Sequence, residues 1–209
     1  MQDAELTYSE LLYLVADRYV PEASLLQNKE ELPTGRKVSI AKLGNLVAEA
    51  AFAYLYFNDL IELKLETKKL LGLISKKVVV ATRKSTDAKL TSLEKSIFDL
   101  SSGLDVHSIL YGLIGEECPV PWSVVTGVVK EALVTKEFLV KEQITKKVIV
   151  SFVTYKYHFN TSKHVVIDNK LAELNLKLKE FSQKDFYPIL VKAIESGIKA
   201  QIERSDSDD

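Results

Sequence analysis

The stretch around Lys130 to His158 constrains this chain more than any other. An apolar helix end, VVKEALVTKEF, runs into LVKE, a polar turn over Gln143–Lys147, and an alternating strand, VIVSFVTYKYH. A helix that feeds directly into a two-stranded hairpin fixes an architectural joint. It fixes no chemistry, and no constellation of catalytic residues stands out elsewhere in the chain.

The remaining elements follow from periodicity and caps. Thr7-Tyr-Ser-Glu10 is a capping box ahead of an apolar run and predicts a helix from about Tyr8 to Tyr19. Pro21 to Arg36 shows no periodicity and holds the turn signal Pro33-Thr-Gly35. From Ile40 to Phe57, Leu43, Leu46, Val47, Ala50, Ala51, Tyr54 and Leu55 recur at helical spacing. Apolar residues also lie off that face, which places this helix at the centre of a bundle. Leu60–Glu66 alternates as a half-buried strand, with Lys76–Thr82 as its antiparallel partner. Thr91-Ser-Leu-Glu94 repeats the capping-box pattern and opens a helix to about Leu100. Asp105 caps a short helix, Trp122 or Ser123 begins one to about Lys136, and Asp168 and Asp185 open two more. The expected class is mainly α: a single helical-bundle domain over residues 1–205 with two β-hairpins, and a disordered acidic tail at 206–209. Strands and helices do not alternate singly, which argues against a doubly wound sheet.

Charge sets the limits on function. The net charge is −1, so overall charge favours neither nucleic acid nor an anionic surface. Its distribution is uneven. Residues 1–66 hold 11 acids against 6 bases, whereas residues 67–89 hold Lys68, Lys69, Lys76, Lys77, Arg83, Lys84 and Lys89 against Asp87 alone. These lysines read either as solvated strand edges that block aggregation or as contacts to an anionic surface. Cys118 is the one cysteine, so no internal disulfide exists, which suits a reducing compartment. No long apolar run or signal-peptide pattern is present, and a cytoplasmic protein, peripheral on the cytosolic face of Golgi or another membrane, is expected.

Chemical motifs are mostly absent. There is no glycine-rich phosphate loop. His158 and His164 lack acidic or thiol neighbours at ligand spacing, and Asp105 near His107 reads as a helix cap, so no metal is expected. Cys118 follows Glu116 and Glu117, the wrong electrostatic setting for a nucleophile. No catalytic residue, cofactor or enzymatic activity is expected. The helix-then-hairpin ending resembles a winged-helix unit, but its helix carries only Lys130 and Lys136 and no arginine, Asn or Gln for base edges, which disfavours nucleic acid. In the second hairpin, lysines flank apolar and aromatic residues. Lys146, Lys147, Phe152, Tyr155 and Lys156 are therefore candidate membrane contacts. The same strand suits a sheet packed by one face on the core. Lys68, Lys69, Lys76 and Lys77 are candidate anionic contacts.

Several segments carry a family resemblance. LTYSELLYLVADR (Leu6–Arg18), LGNLVAEAAFAYLYFNDLIELK (Leu43–Lys64), KKVVVATRKSTDAKLTSLEKSIFDL (Lys76–Leu100) and VVKEALVTKEFLVKE (Val128–Glu142) resemble, in order, blocks of the Golgi phosphoprotein 3 family. They cover roughly residues 6 to 180. The resemblance implies a non-enzymatic peripheral membrane protein of membrane trafficking. Members bind phosphatidylinositol 4-phosphate and link glycosyltransferase tails to vesicle coat. It also implies a hairpin, here about 141–154, used for membrane contact or homo-oligomer formation. The family's headgroup pocket uses a tryptophan and arginines. At the matching positions stand Ala48, Ser123 and Thr126, and Trp122 falls elsewhere. The resemblance thus implies a kept scaffold with its arginine pocket lost. The alternative is a winged-helix-like interaction module that binds a protein or nucleic-acid partner.

Overall fold

The computed structural model describes residues 5–70, 74–85, 90–115, 118–147 and 151–205. The expected acidic tail, 206–209, lies outside them, as do Val148–Val150 of the expected second strand.

The centre is one helix, α2 (Ile40–Phe57), with Leu43, Val47, Ala48, Ala50, Ala51, Phe52, Ala53 and Leu55 all fully buried. Around it pack α1 (Tyr8–Leu14), α3 (Ser92–Leu100), α5 (Pro121–Thr135), α6 (His164–Ser182) and α7 (Tyr187–Ser205). The expected bounds of α2 agree with the structure, because a helix buried over most of its circumference repeats its signal on every turn. Small residues bring its neighbours close. A Cβ placed on Gly44 would lie 2.9 Å from Cδ1 of Trp122, and the indole Nε1–H donates to Asn45 Oδ1 at 3.1 Å. Trp122 is thus an anchor between α2 and α5. At the far end, Tyr56 meets Phe181 and Phe186, and Phe57 meets Phe181, in tilted or edge-on ring contacts 5.5–6.0 Å apart, with Tyr187 edge-on to Phe181 at 6.1 Å. Fully burying one such side chain stabilises the fold by roughly 1.5–3 kcal/mol.

The capping box of α1 forms as expected. The Thr7 N–H donates to Glu10 Oε2 at 2.9 Å, and the Glu10 N–H donates to Thr7 Oγ1 at 3.4 Å. The helix stops at Leu14, short of the expected Tyr19, and one 3-10 turn (Ala16–Arg18) follows.

Strand content corrects the expected class. The chain is not a mainly α helical bundle with two β-hairpins. It is mixed α/β, 53% helical and 25% strand, in three antiparallel sheets. Strands β1 (Lys29–Glu31) and β2 (Lys37–Ser39) pair across the Pro33-Thr-Gly35 turn, where Gly35 takes φ +82°. Strand β5 (Ser102–Asp105) joins β3 (Ile61–Leu70) and β4 (Ile74–Arg83) as an edge. Three- and four-residue strands with at most one buried face leave almost no alternation to read. β6 (Leu139–Lys147) and β7 (Ser151–Phe159) form the second long hairpin. Gln143–Lys147, expected as a turn, instead pairs with Tyr155–Ser151. These residues read as a turn because Gln143 and Thr145 are exposed and Ile144 is only half-buried, which leaves little alternation to read.

Both long hairpins extend outward from the body. In β3–β4, Ile61, Leu63, Val79 and Ala81 are buried at the base, whereas Leu65 is 39% exposed. The register continues to Leu70↔Ile74, so the outer half carries Lys68, Lys69, Lys76 and Lys77 away from the core. The shorter α4 (Val106–Ile114) begins where β5 ends, capped by Asp105, which accepts from the Ser108 N–H at 3.0 Å.

Buried acids tie α1 to its neighbours. Glu10, fully buried, pairs with Lys136 Nζ at 2.7 Å. Glu94, fully buried on α3, accepts from the Ser9 N–H at 3.4 Å instead of closing its own capping box. Burial pushes the Glu94 carboxyl up from 4.5 to about 7, and nearby Glu10 adds to the rise against the lowering effect of Ser9.

Two predictions follow from these contacts. Gly44→Ala should destabilise the fold by roughly 1–3 kcal/mol, since the indole has little room to retreat. An unchanged denaturant midpoint would show that α2 and α5 are not held by this contact. Glu94 binds its proton more tightly folded than unfolded. Its contribution therefore favours the folded state below pH 4.5 and declines as pH rises through about 7. Glu94→Gln should flatten the dependence of Tm on pH between those values and raise Tm at pH 7.5. Thermal melts in which the variant keeps the parent's slope would contradict this.

Candidate functional site

Four lysines gather where β3–β4 meets α4 and α7. Lys68, Lys76, Lys77 and Lys192 rim a cleft of about 470 Å³. Asp105 is its one carboxylate, and His107 and Ser108 complete the polar side. Valines 78 and 79 with Ile189 and Ala193 form an apolar floor.

Each wall has a local cause. Lys68 and Lys76 are direct cross-strand partners, as are Thr67 and Lys77. On α7, Ile189, Lys192, Ala193 and Ser196 fall at helical spacing and form one stripe toward the hairpin. Helices α4 and α7 touch through Gly197, where a Cβ would lie 2.8 Å from the His107 carbonyl oxygen. That contact fixes His107 and Ser108 against the α7 stripe.

Lys68 is partly engaged. Its Nζ lies 2.8 Å from Asp105 Oδ2, and Asp105 also accepts from the Ser108 N–H and hydroxyl at 3.0 Å each. Burial alone would raise the Asp105 carboxyl. The Lys68 ammonium and the two Ser108 donors outweigh it and hold the group below its usual range. Among the described residues, Lys69, Lys76, Lys77 and Lys192 form no ion pair, and all four are exposed. The other cations of β4 are occupied: Lys84 on Asp59, and Arg83 on the Asp99 carbonyl and over the Phe98 ring.

The second hairpin differs. Lys156 pairs with Glu31 at 3.2 Å and Lys141 with Glu131 at 2.6 Å. The Lys141 hydrogen bond holds the Glu131 carboxyl below its usual range against the opposing effect of burial. Tyr155 is half exposed under the Lys141 ammonium, 4.3 Å from the ring centroid. Lys146 and Phe152 are register partners near the end of the hairpin, followed by Lys147 opposite Ser151. A larger hollow of about 580 Å³ lies between this hairpin and β1–β2. Its Lys130 and Lys156 pair with Glu30 and Glu31, and the exposed Lys29 and Lys37 also line it.

The structure thus brings Lys68, Lys76 and Lys77 together, leaves Lys69 off the cleft, and adds Lys192. Helical spacing alone puts Ile189 and Ala193 on one face of α7; nothing in the sequence shows that this face meets β4. The positions matching the family's headgroup pocket are closed. Ala48 and Thr126 are fully buried, and the exposed Ser123 hydroxyl donates to the Val120 carbonyl at 2.6 Å. The winged-helix alternative meets a similar obstacle. Lys130 pairs with Glu30 and Lys136 with Glu10, both largely out of solvent.

Among the described residues, no group of His, Cys, Asp and Glu is placed to hold a metal ion, and no helix is long and apolar enough to cross a membrane. No protein family, curated protein or solved structure matches the chain.

The lysines of the cleft should be dispensable for folding. Like charges directly opposite in a ladder are destabilising by roughly 0.2–1 kcal/mol. Lys76→Thr should therefore leave stability unchanged or raise it by that amount in urea unfolding. Lys136→Met, which strands Glu10 in the core, should cost about 3–5 kcal/mol. A comparable loss from both variants would make Lys76 a structural residue.

Proposed function

We propose that this chain is a non-enzymatic peripheral membrane protein that binds an anionic lipid surface, phosphoinositide included, through the outer half of β3–β4 and the adjoining face of α7. One observation carries the reading. Among the described residues, Lys69, Lys76, Lys77 and Lys192 form no ion pair, and Lys76, Lys77 and Lys192 share one cleft. On the second hairpin, Lys141 and Lys156 are both neutralised.

The magnitudes suit reversible attachment. A lysine near an anionic membrane contributes about 1 kcal/mol, and the attraction falls off within a Debye length. Four such lysines support weak, salt-sensitive binding that a second contact would strengthen. The half-exposed Val140, Val153 and Tyr155 of β6–β7 offer apolar surface for it, alongside Lys146, Lys147 and Phe152 near the hairpin end. The resemblance to the Golgi phosphoprotein 3 family points to the same class and to membrane trafficking, with the anion contact moved from the family's pocket to the lysines of β3–β4. The winged-helix reading is weaker, because its only helical cations are engaged in ion pairs.

Co-sedimentation with liposomes tests this. Neutral phosphatidylcholine vesicles should not retain the protein. Vesicles containing phosphatidylserine or phosphatidylinositol 4-phosphate should, less so as salt rises. The triple charge reversal Lys76→Glu, Lys77→Glu, Lys192→Glu should weaken partition by roughly 100-fold, at about 1 kcal/mol per lysine. Phe152→Asp should reduce binding separately if the β6–β7 end also inserts. Equal retention of the triple variant and the parent would sink the assignment of the surface.

A further inference from the structure

The same lysines border an apolar floor, which a purely electrostatic contact does not need. We propose that the cleft between β3–β4, α4 and α7 is a discrete site for one anionic amphiphile: a phosphate monoester with an apolar chain. The phosphate sits among Lys76, Lys77 and Lys192. The chain lies along Val78, Val79, Ile189 and Ala193.

The volume, about 470 Å³, falls within the range of small-molecule sites. Its two-sided lining matches neither a simple anion nor a hydrocarbon. The α4 N-terminus is not the anion receptor, because Asp105 already caps it and takes the Ser108 N–H. The lysine ammoniums therefore do the recognition. They act as point charges without the planar fork of arginine, which suits a compact phosphate more than a carboxylate. Four lysines against one carboxylate leave an excess of three positive charges at the rim, enough to meet a dianionic phosphate. The Lys68–Lys76 repulsion across the ladder is relieved when an anion lies between the strand and α7. The source of such a molecule is either a bilayer lipid or a soluble amphiphile, and both share this chemistry.

This inference deepens the membrane reading by sharing its lysines, and the two fail separately. The full chain is titrated calorimetrically with dihexanoyl phosphatidic acid below its micelle-forming concentration, with inorganic phosphate, and with dihexanoyl phosphatidylcholine. The expected result is saturable one-to-one binding of the phosphatidic acid, at least about tenfold tighter than either control. Ala193→Phe fills the floor without changing charge. It should abolish this binding while retaining salt-sensitive sedimentation with anionic liposomes. Lys76→Gln with Lys192→Gln, both at exposed positions, should weaken it about tenfold or more and keeps the test open if the phenylalanine does not fold. Inorganic phosphate binding as tightly as the lipid, no saturable binding at all, or a double glutamine variant that binds like the parent overturns the site. Intact monomer binding with no liposome binding supports the site, overturns the membrane reading, and makes the source a soluble amphiphile.

Discussion

The fold depends on one helix buried over most of its circumference, with only Lys42 exposed before its C-terminal end. Leu43, Ala48, Ala50, Ala51, Phe52, Ala53 and Leu55 of α2 point in every direction round the axis, and all are fully buried. Alanine at so many of these positions lets neighbouring helices approach, and Gly44 lets the Trp122 ring lie flat against the backbone. Once α2 is enclosed, both of its ends are constrained. Its C-terminus turns at Asn58–Asp59, with Asp59 at φ +57°, and the chain enters β3 at once. The β3–β4 hairpin is thus rooted directly in the C-terminus of the central buried helix. Its outer half then leaves the core, because the buried positions end at Leu63 and Val79.

The second constraint is how the protein disposes of its charges. Near α1 and α5 the carboxylates are buried and each takes a lysine: Glu10 holds Lys136, and Glu30 holds Lys130 while also accepting from the Tyr13 hydroxyl at 3.1 Å. Breaking such pairs is costly because the remaining charge stays in low dielectric. Acids of the N-terminal third therefore neutralise Lys130, Lys136 and Lys156, and Glu131 takes Lys141. In β3, Lys64 pairs with Glu62 near the base and Lys68 with Asp105; among the described residues, Lys69, Lys76 and Lys77 form no ion pair. A net charge of −1 hides this separation, which becomes visible only when each cation is assigned its partner.

Much of the helical frame was legible in the sequence, and the reasons it failed elsewhere are particular. The bounds of α2 and the box at Thr7–Glu10 read correctly, because both rest on local spacing. The identical pattern at Thr91–Glu94 did not form a box. Glu94 faces α1 and accepts from Ser9 instead, so tertiary contact displaced a local preference. Strands β1 and β5 escaped notice because three or four residues with at most one buried side chain carry no usable period. The strand at Gln143–Lys147 reads as a turn for a similar reason: Gln143 and Thr145 are exposed and Ile144 is only half-buried. For the site, Lys68, Lys76 and Lys77 stood out as a basic run, but their cleft did not. It requires α7 to lie across β4 and α4, a contact set by Gly197 against His107 more than a hundred positions from the hairpin.

The lysines of the outer hairpin also bear on how stability and binding are linked. Lys68 and Lys76 face each other across the ladder, where an opposite charge at either position would stabilise the free protein. Asp105 relieves Lys68 alone, at 2.8 Å, and it is also the cap of α4. The repulsion that remains is concentrated on Lys76, Lys77 and the neighbouring Lys192. An anion that binds these groups in the folded hairpin stabilises it by mass action, since the unfolded chain does not hold the lysines together. The arrangement that weakens the empty hairpin is therefore the one that makes it responsive to an anionic ligand, and the outer half of β3–β4 is where binding should be felt as increased order.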